Sequence, residues 1–170
     1  PLITSGRSFP AKPDEFEGFM QKLVNSKRVS NLRKDADAII VPHIDLSLND
    51  FAHCVYASGY DAIADKEFDT IVIFGTSHYA FSDYFMLTNK PYNTPLGVIE
   101  NDMEVLDYLA NNYNDAFSFD NQAHRFEHSI EYQAVLSKYY FRNTNFKIIP
   151  ILVGSFQKFI YEKSEPISDN

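Results

Sequence analysis

The sequence predicts an α/β fold with a mainly parallel sheet and helices on both of its faces. Three apolar runs have the length and composition of buried strands: Ala38–Val41, Thr70–Phe74 and Phe146–Val153. Segments with helical spacing of apolar residues separate these runs, and such alternation is typical of parallel sheets. The 170 residues are expected to form one domain, with an irregular tail over 155–170 where the periodicity is lost.

The first half of the chain supplies two helices. Residues 13–28 carry apolar side chains at i, i+3, i+4, i+7 and i+8, and Pro13 suits the first turn of a helix. A second helix begins after Asn49 or Asp50, either of which can cap it, and its apolar stripe continues to Ala62.

The second half supplies further strands and helices. Tyr84–Thr88 is predicted to be a strand, and Thr94–Gly97 a type I turn. Asn101 is expected to cap a helix whose buried face ends at Tyr113, and residues 127–141 are expected to form the last helix. A sheet of about three or four strands is small for this class, so the fold looks unfinished after the last buried strand.

Composition excludes several classes of function. A net charge of −8 argues against a nucleic-acid partner, because phosphate backbones are bound by basic surfaces. No apolar run approaches the roughly 20 residues that span a bilayer, so no membrane partner is expected. Cys54 is the single cysteine, which excludes an internal disulfide and favours a reducing compartment, with the cytoplasm as the expected location.

Two histidines follow buried strands and are the first candidates for a site. His43 ends one apolar run, and His78 closes the Gly-Thr-Ser-His stretch after the next. The carboxyl ends of parallel strands meet at one edge of a sheet, so the two imidazoles can bind a metal together. Asp45 lies close enough to orient an imidazole. The alternative is two strand-end histidines bonded to loop carbonyls or turn hydroxyls.

A third group of candidates lies in the segment before the last helix. His124, Glu127 and His128 spell His-x-x-Glu-His, the inverted zinc-peptidase motif, which requires both histidines on one helical face and the glutamate as base. A second interpretation is that the helix start brings Glu127 and His128 toward the strand-end histidines, with Glu131 within i, i+3 reach of His128. A third is a partly buried His128 that caps its own helix.

Seven stretches of this chain, in this order, resemble the Memo-like family. They are Ser5–Pro10, Val41–Asp45, Ala52–His53, Phe74–His78, Tyr92–Gly97, Ala123–Glu131 and Ile149–Gly154. The resemblance implies a fold shared with class III extradiol ring-cleaving dioxygenases, which bind non-haem iron through two histidines and a carboxylate. It also implies that this chain is the N-terminal part of a longer fold, whose remaining part would supply the third ligand.

The resemblance assigns roles to the candidate residues. His43 and His78 match the metal-ligand positions, and His128 and Glu131 match a family motif near the pocket. Asp45 departs from the family, which has small residues after the first histidine, and it adds an acidic group there. His128, Glu131 and Asp45 are the candidate catalytic residues that line or tune the pocket. The implied cofactor is a divalent metal, iron first, with copper or zinc as alternatives. The implied partners are a small aromatic substrate, a radical-SAM protein and a small companion protein.

Three functions follow as expectations from the residues and the resemblance together. The leading one is a metal-binding, dioxygenase-related protein. The second is a non-catalytic module that binds a peptide or another protein. The third is a zinc metallopeptidase that uses the His124-x-x-Glu127-His128 motif.

Overall fold

The computed structural model of the chain describes residues 2–26, 36–48, 50–80, 82, 85–155 and 157–162. The elements in chain order are helix α1 (Pro13–Val24), helix α2 (Asp50–Asp61), strand β1 (Thr70–Thr76), strand β2 (Phe85–Leu87), strand β3 (Tyr92–Thr94), strand β4 (Gly97–Ile99), helix α3 (Met103–Asn112), strand β5 (Phe117–Phe119), helix α4 (Asn121–Arg125), helix α5 (Ser129–Tyr140), strand β6 (Lys147–Val153) and helix α6 (Gln157–Glu162). Within these ranges, no helix is both long enough and apolar enough to cross a bilayer.

The central sheet has four strands in the order β1-β6-β2-β5. β1 and β6 pair in parallel along their whole length, from Thr70 opposite Lys147 to Thr76 opposite Val153. β2 pairs in parallel with β5 and antiparallel with β6, so two of the three pairings are parallel. The predicted mainly parallel sheet is therefore confirmed. β3 and β4 form a separate antiparallel hairpin, whose turn ends at Gly97 with a φ of 110°.

Helices cover both faces of the sheet, as predicted. Successive side chains of a strand point to opposite faces. On β6, Ile148 and Leu152 therefore join the main core beneath α1, α2 and α5, whereas Ile149 and Ile151 pack with Leu106 of α3. Because of this alternation, β6 contributes side chains to both cores. The start of α5 lies beside the carboxyl end of β1, where the Ser129 hydroxyl donates to the Thr76 carbonyl.

The strand predicted at Ala38–Val41 is wrong. These residues have no strand assignment, and Ile40 is fully exposed. The run has the apolar composition of a strand, but a strand also needs a hydrogen-bonded neighbour, and among the described residues β1 pairs only with β6. Contacts other than sheet pairing therefore have to position His43.

Several smaller predictions need correction. Asp102 rather than Asn101 caps α3, because the Asp102 carboxylate accepts the Val105 N–H. The Asn101 amide is buried instead, and it donates to the carbonyls of Thr88 and Lys90.

The short elements were also predicted incompletely. The tail predicted to be irregular contains α6. β5 and α4 went unpredicted because three to five residues are too few to display a period. Two predicted boundary residues, Asn49 and Tyr84, lie outside the described residues.

Candidate metal centre

Three histidines from distant parts of the chain meet at one point of the surface. One ring nitrogen from each of His43, His78 and His128 lies within 4.8 Å of the other two. The Nε2 atoms of His43 and His78 are 3.1 Å apart. The rings of His78 and His128 stack with centroids 4.8 Å apart. We call these three residues the histidine triad, and they are the group of possible metal ligands found among the described residues.

His43 is held by its two neighbours in the chain. The Gln133 amide of α5 donates to the Pro42 carbonyl at 3.1 Å, and the Tyr56 hydroxyl of α2 donates to the Ile44 carbonyl at 2.8 Å. These two bonds replace the strand pairing that the sequence predicted. Side chains of two helices thereby fix the backbone on both sides of the imidazole.

The segment that contains Val41 also packs closely against α2. A Cβ added to Gly59 would lie 2.3 Å from Val41 Cγ1, so only a glycine leaves room for the Val41 side chain. The apolar run therefore packs onto a helix instead of joining the sheet edge.

His78 and His128 meet because β1 and α5 approach closely. The Ser129 hydroxyl donates to the Thr76 carbonyl at 2.9 Å, which joins the first turn of α5 to the end of β1. A Cβ added to Gly75 would lie 2.5 Å from Ile130 Cγ1 and 2.6 Å from Ser129 Oγ. Gly75 lies inside β1 rather than at a turn, and its small size is what permits this contact.

Glu127 lies directly behind the histidine triad and is only 3% exposed. Its Oε2 accepts the His78 backbone N–H at 2.7 Å, and its Oε1 accepts the His78 Nδ1–H at 2.9 Å. Oε1 also accepts the backbone N–H groups of His128 and Ser129, at 2.8 and 3.1 Å. Glu127 therefore supports His78 and His128 by accepting hydrogen bonds from both of them.

The electrostatics of the site place an anion behind the imidazoles and keep His43 neutral. Burial alone would raise the pKa of Glu127, but the hydrogen bonds from His78, Ser129 and His128 outweigh it and hold the pKa below its ordinary value. Burial, followed by the neighbouring His78 and His128, lowers the pKa of His43. His43 is therefore neutral at pH 7, the state in which imidazole binds metals.

The peptidase geometry is absent. His124 belongs to α4 and His128 precedes α5, so the two residues do not share one helical face. His124 is buried, with Nε2 2.8 Å from the Met86 carbonyl and Nδ1 3.1 Å from the Tyr92 hydroxyl. Both of its ring nitrogens are occupied, so the structure contradicts the zinc-peptidase interpretation.

The two predicted acidic site residues make their contacts elsewhere. Asp45 closes a turn, accepting the backbone N–H and hydroxyl of Ser47 at 2.9 and 2.8 Å. Both carboxylate oxygens of Glu131 accept hydrogen bonds from the N-terminal segment: Oε2 from the Ile3 N–H, and Oε1 from the N–H and hydroxyl of Thr4. Neither carboxylate belongs to the group of possible ligands, and their catalytic role stays a prediction.

Aromatic side chains border the histidine triad. The Tyr79 ring lies 6.2 Å from the His78 ring, and the Tyr132 ring lies 5.4 Å from the His128 ring. Tyr79 is largely exposed. Phe81, the next aromatic residue along the chain, lies outside the described residues. The triad therefore opens to solvent beside the exposed Tyr79 ring, whereas the Tyr132 ring is buried beneath it.

Sequence reasoning missed two kinds of functional residue. Glu127 was considered both as the base of a motif and as a residue brought toward the strand-end histidines, and its contacts with His78 match the second interpretation, but its role as a support was not predicted. Gln133 and Tyr56 were not singled out at all. The available signal was a polar side chain within a buried helical stripe, because such a group must have a hydrogen-bond partner.

Comparison with known proteins points to one family. The family model described as "Memo-like protein" matches residues 2–164. A "MEMO1 family protein" of Aquifex aeolicus is 36% identical over 150 residues, which is 88% of this chain and 38% of that protein. One from Methanococcoides burtonii is 33% identical over 126 residues, 72% of this chain and 43% of that protein. The chain thus spans less than half the length of these two relatives.

Proposed function

We propose, for a chain that belongs to the Memo-like family, that the histidine triad holds a divalent transition metal in a dioxygenase-related site. The observation that carries this proposal is the convergence of three ring nitrogens within 4.8 Å of one another. Three imidazoles with open space beside them form a typical catalytic ligand set, in which the remaining positions take water or substrate.

The donor set fits iron, copper and zinc, because imidazole suits all three metals. Iron is our first candidate, since the oxygen-dependent reactions implied by the family resemblance need a redox-active metal. When bound, such a metal would supply binding positions for O₂ and for the oxygen atoms of a substrate.

The residues around the histidine triad would then select and orient the substrate. The exposed Tyr79 ring offers a surface for a small aromatic molecule, and Glu127 accepts hydrogen bonds from two of the histidines on their buried side. Asp45 accepts hydrogen bonds from Ser47 on the segment that carries His43, so it acts as a support for that segment rather than as a ligand. A radical-SAM protein and a small companion protein remain the proposed partners.

Metal analysis of single variants tests the proposal. We expect wild-type protein loaded with Fe²⁺ and desalted without oxygen to retain about one metal per chain, and each of the variants His43→Ala, His78→Ala and His128→Ala to retain far less. His53→Ala is the matched control, because the His53 ring bonds the Leu46 carbonyl and is not among the possible ligands. Full metal content in all three triad variants would overturn the proposal.

A second candidate function is the binding of an extended polypeptide at the open side of β1. β1 is an edge strand among the described residues, and Val72 and Phe74 on it are 51% and 63% exposed. A cavity of about 680 Å³ separates β1 from the segment that contains Ile40. Edge strands present unpaired N–H and C=O groups that a further strand can join.

Binding of a fluorescent peptide of alternating valine and threonine tests this second candidate. We expect saturable binding that Phe74→Lys weakens at least tenfold and that Tyr108→Lys, a change at an exposed aromatic residue on α3, leaves intact. Absence of binding, or equal loss in both variants, would remove this candidate without affecting the metal proposal.

A further inference from the structure

The contacts of Glu127 fix which nitrogen of His78 carries its proton. A neutral imidazole has one protonated nitrogen, which donates a hydrogen bond, and one unprotonated nitrogen, which can bind a metal. The acceptor that bonds the N–H decides which nitrogen is protonated and where the unprotonated one points. His78 Nδ1 lies 2.9 Å from Glu127 Oε1, and a carboxylate can only accept, so the proton of His78 is on Nδ1. Its bare Nε2 then faces the centre of the histidine triad.

His128 is biased in the same way. Its Nδ1 lies 3.3 Å from the same Oε1, and its backbone N–H donates to that oxygen. The nearby negative charge favours a proton on Nδ1 over one on Nε2. One buried carboxylate therefore acts on two rings that come from different parts of the chain.

His43 must take the opposite tautomer when no metal is bound. Its Nε2 lies 3.1 Å from His78 Nε2. Two unprotonated nitrogens cannot form a hydrogen bond with each other. Because the proton of His78 is on Nδ1, His43 must donate from Nε2–H to His78 Nε2. Before it can act as a ligand, His43 must lose the Nε2 proton to water and gain one on Nδ1.

We propose that Glu127 is a positioning residue that holds His78 and His128 as Nδ1–H tautomers, so that two ligand nitrogens are bare before a metal arrives while His43 alone must exchange its proton. The consequence for metal affinity rests on the proposed metal function. The tautomers themselves do not, because they belong to the metal-free protein. Carboxylates that support ligand histidines in this way typically contribute 10–100-fold to metal affinity.

The competing explanation is that Glu127 serves only the backbone. Its bonds to the N–H groups of His78, His128 and Ser129 would join β1 to α5 even if it had no effect on either ring. A readout of ring protonation separates the two explanations, because a purely structural carboxylate leaves the tautomers unchanged.

The test is nitrogen-15 NMR of histidine-labelled, metal-free protein at a pH where the rings are neutral. We expect His78 and His128 as Nδ1–H tautomers and His43 as the Nε2–H tautomer in the wild type. In Glu127→Gln we expect His78 to become a mixture of tautomers. A wild-type His78 protonated on Nε2 would overturn the proposal without any variant, so the test does not depend on whether the variant folds.

A Zn²⁺ titration completes the test, with Asp120→Asn as the matched control. Asp120 also accepts two backbone N–H groups, from Gln122 and Ala123, but no histidine of the triad donates to it. We expect Glu127→Gln to weaken Zn²⁺ binding by 10–100-fold and Asp120→Asn to leave it unchanged. Equal affinity in Glu127→Gln and wild type would refute the positioning role, whereas a wild type that binds no metal would refute the proposed function and leave the tautomer result standing.

Discussion

Replacement of Gly75 by alanine tests whether the close approach of β1 and α5 builds the histidine triad. The added Cβ would lie 2.5 Å from Ile130 Cγ1 and 2.6 Å from Ser129 Oγ. Carbon atoms in contact rest about 3.5–4.0 Å apart, so the first turn of α5 would have to retreat by about 1 Å. Both neighbouring residues are buried and cannot rotate away into solvent.

The retreat has two measurable effects. Overpacking of a core by one methyl group costs about 1–3 kcal/mol of unfolding free energy, and urea denaturation of Gly75→Ala measures this loss. The same retreat stretches the Ser129–Thr76 hydrogen bond and moves His128 away from His78. Because a binding site must be held within about 0.5 Å, we expect metal affinity to fall roughly tenfold or more.

Gly18→Ala is the control for a glycine-to-alanine change. Gly18 lies within α1 with no atom within 4 Å of its added Cβ, so the variant should gain about 0.5–1 kcal/mol of stability and bind metal as the wild type does. If Gly75→Ala matched the wild type in both urea denaturation and metal titration, the argument that strand–helix contact builds the site would be refuted.

Two buried polar residues give the remaining predictions. Glu131→Gln should lower the unfolding free energy by about 1–3 kcal/mol. Both carboxylate oxygens accept hydrogen bonds from the segment that contains Ile3 and Thr4, and an amide nitrogen in place of one oxygen cannot accept them. Unchanged urea denaturation would exclude this anchoring role. His124→Ala should lower the unfolding free energy by a similar amount, about 1–3 kcal/mol, and retain the full metal content. Loss of metal in this variant would support the zinc-peptidase interpretation that the structure contradicts. Burial lowers the pKa of His124, so the unfolded chain binds more protons and stability should fall as the pH drops through about 6.5 toward the lower folded value. A pH dependence that His124→Ala does not flatten would contradict this assignment.

The sequence was informative about elements with a strong local period. The buried strand that ends at Val153 and the helix that carries Leu136 are both visible from their spacing, because burial of one face is a local requirement. The Ala38–Val41 run shows the limit of such reasoning. Its composition is that of a strand, but pairing depends on a neighbouring edge, and the local sequence does not report where that edge lies.

The sequence by itself determined the fold class, the family and the candidate histidines, because apolar spacing and the order of short motifs are properties of the chain. The tertiary structure alone decided which role each residue has at the site. It brings His43, His78 and His128 together into one group and places Glu127 behind two of them. It also buries the His124 side chain in the core. The physical reason is that these assignments depend on contacts between residues far apart in sequence, and such contacts exist only once the helices and strands that carry those residues have packed together.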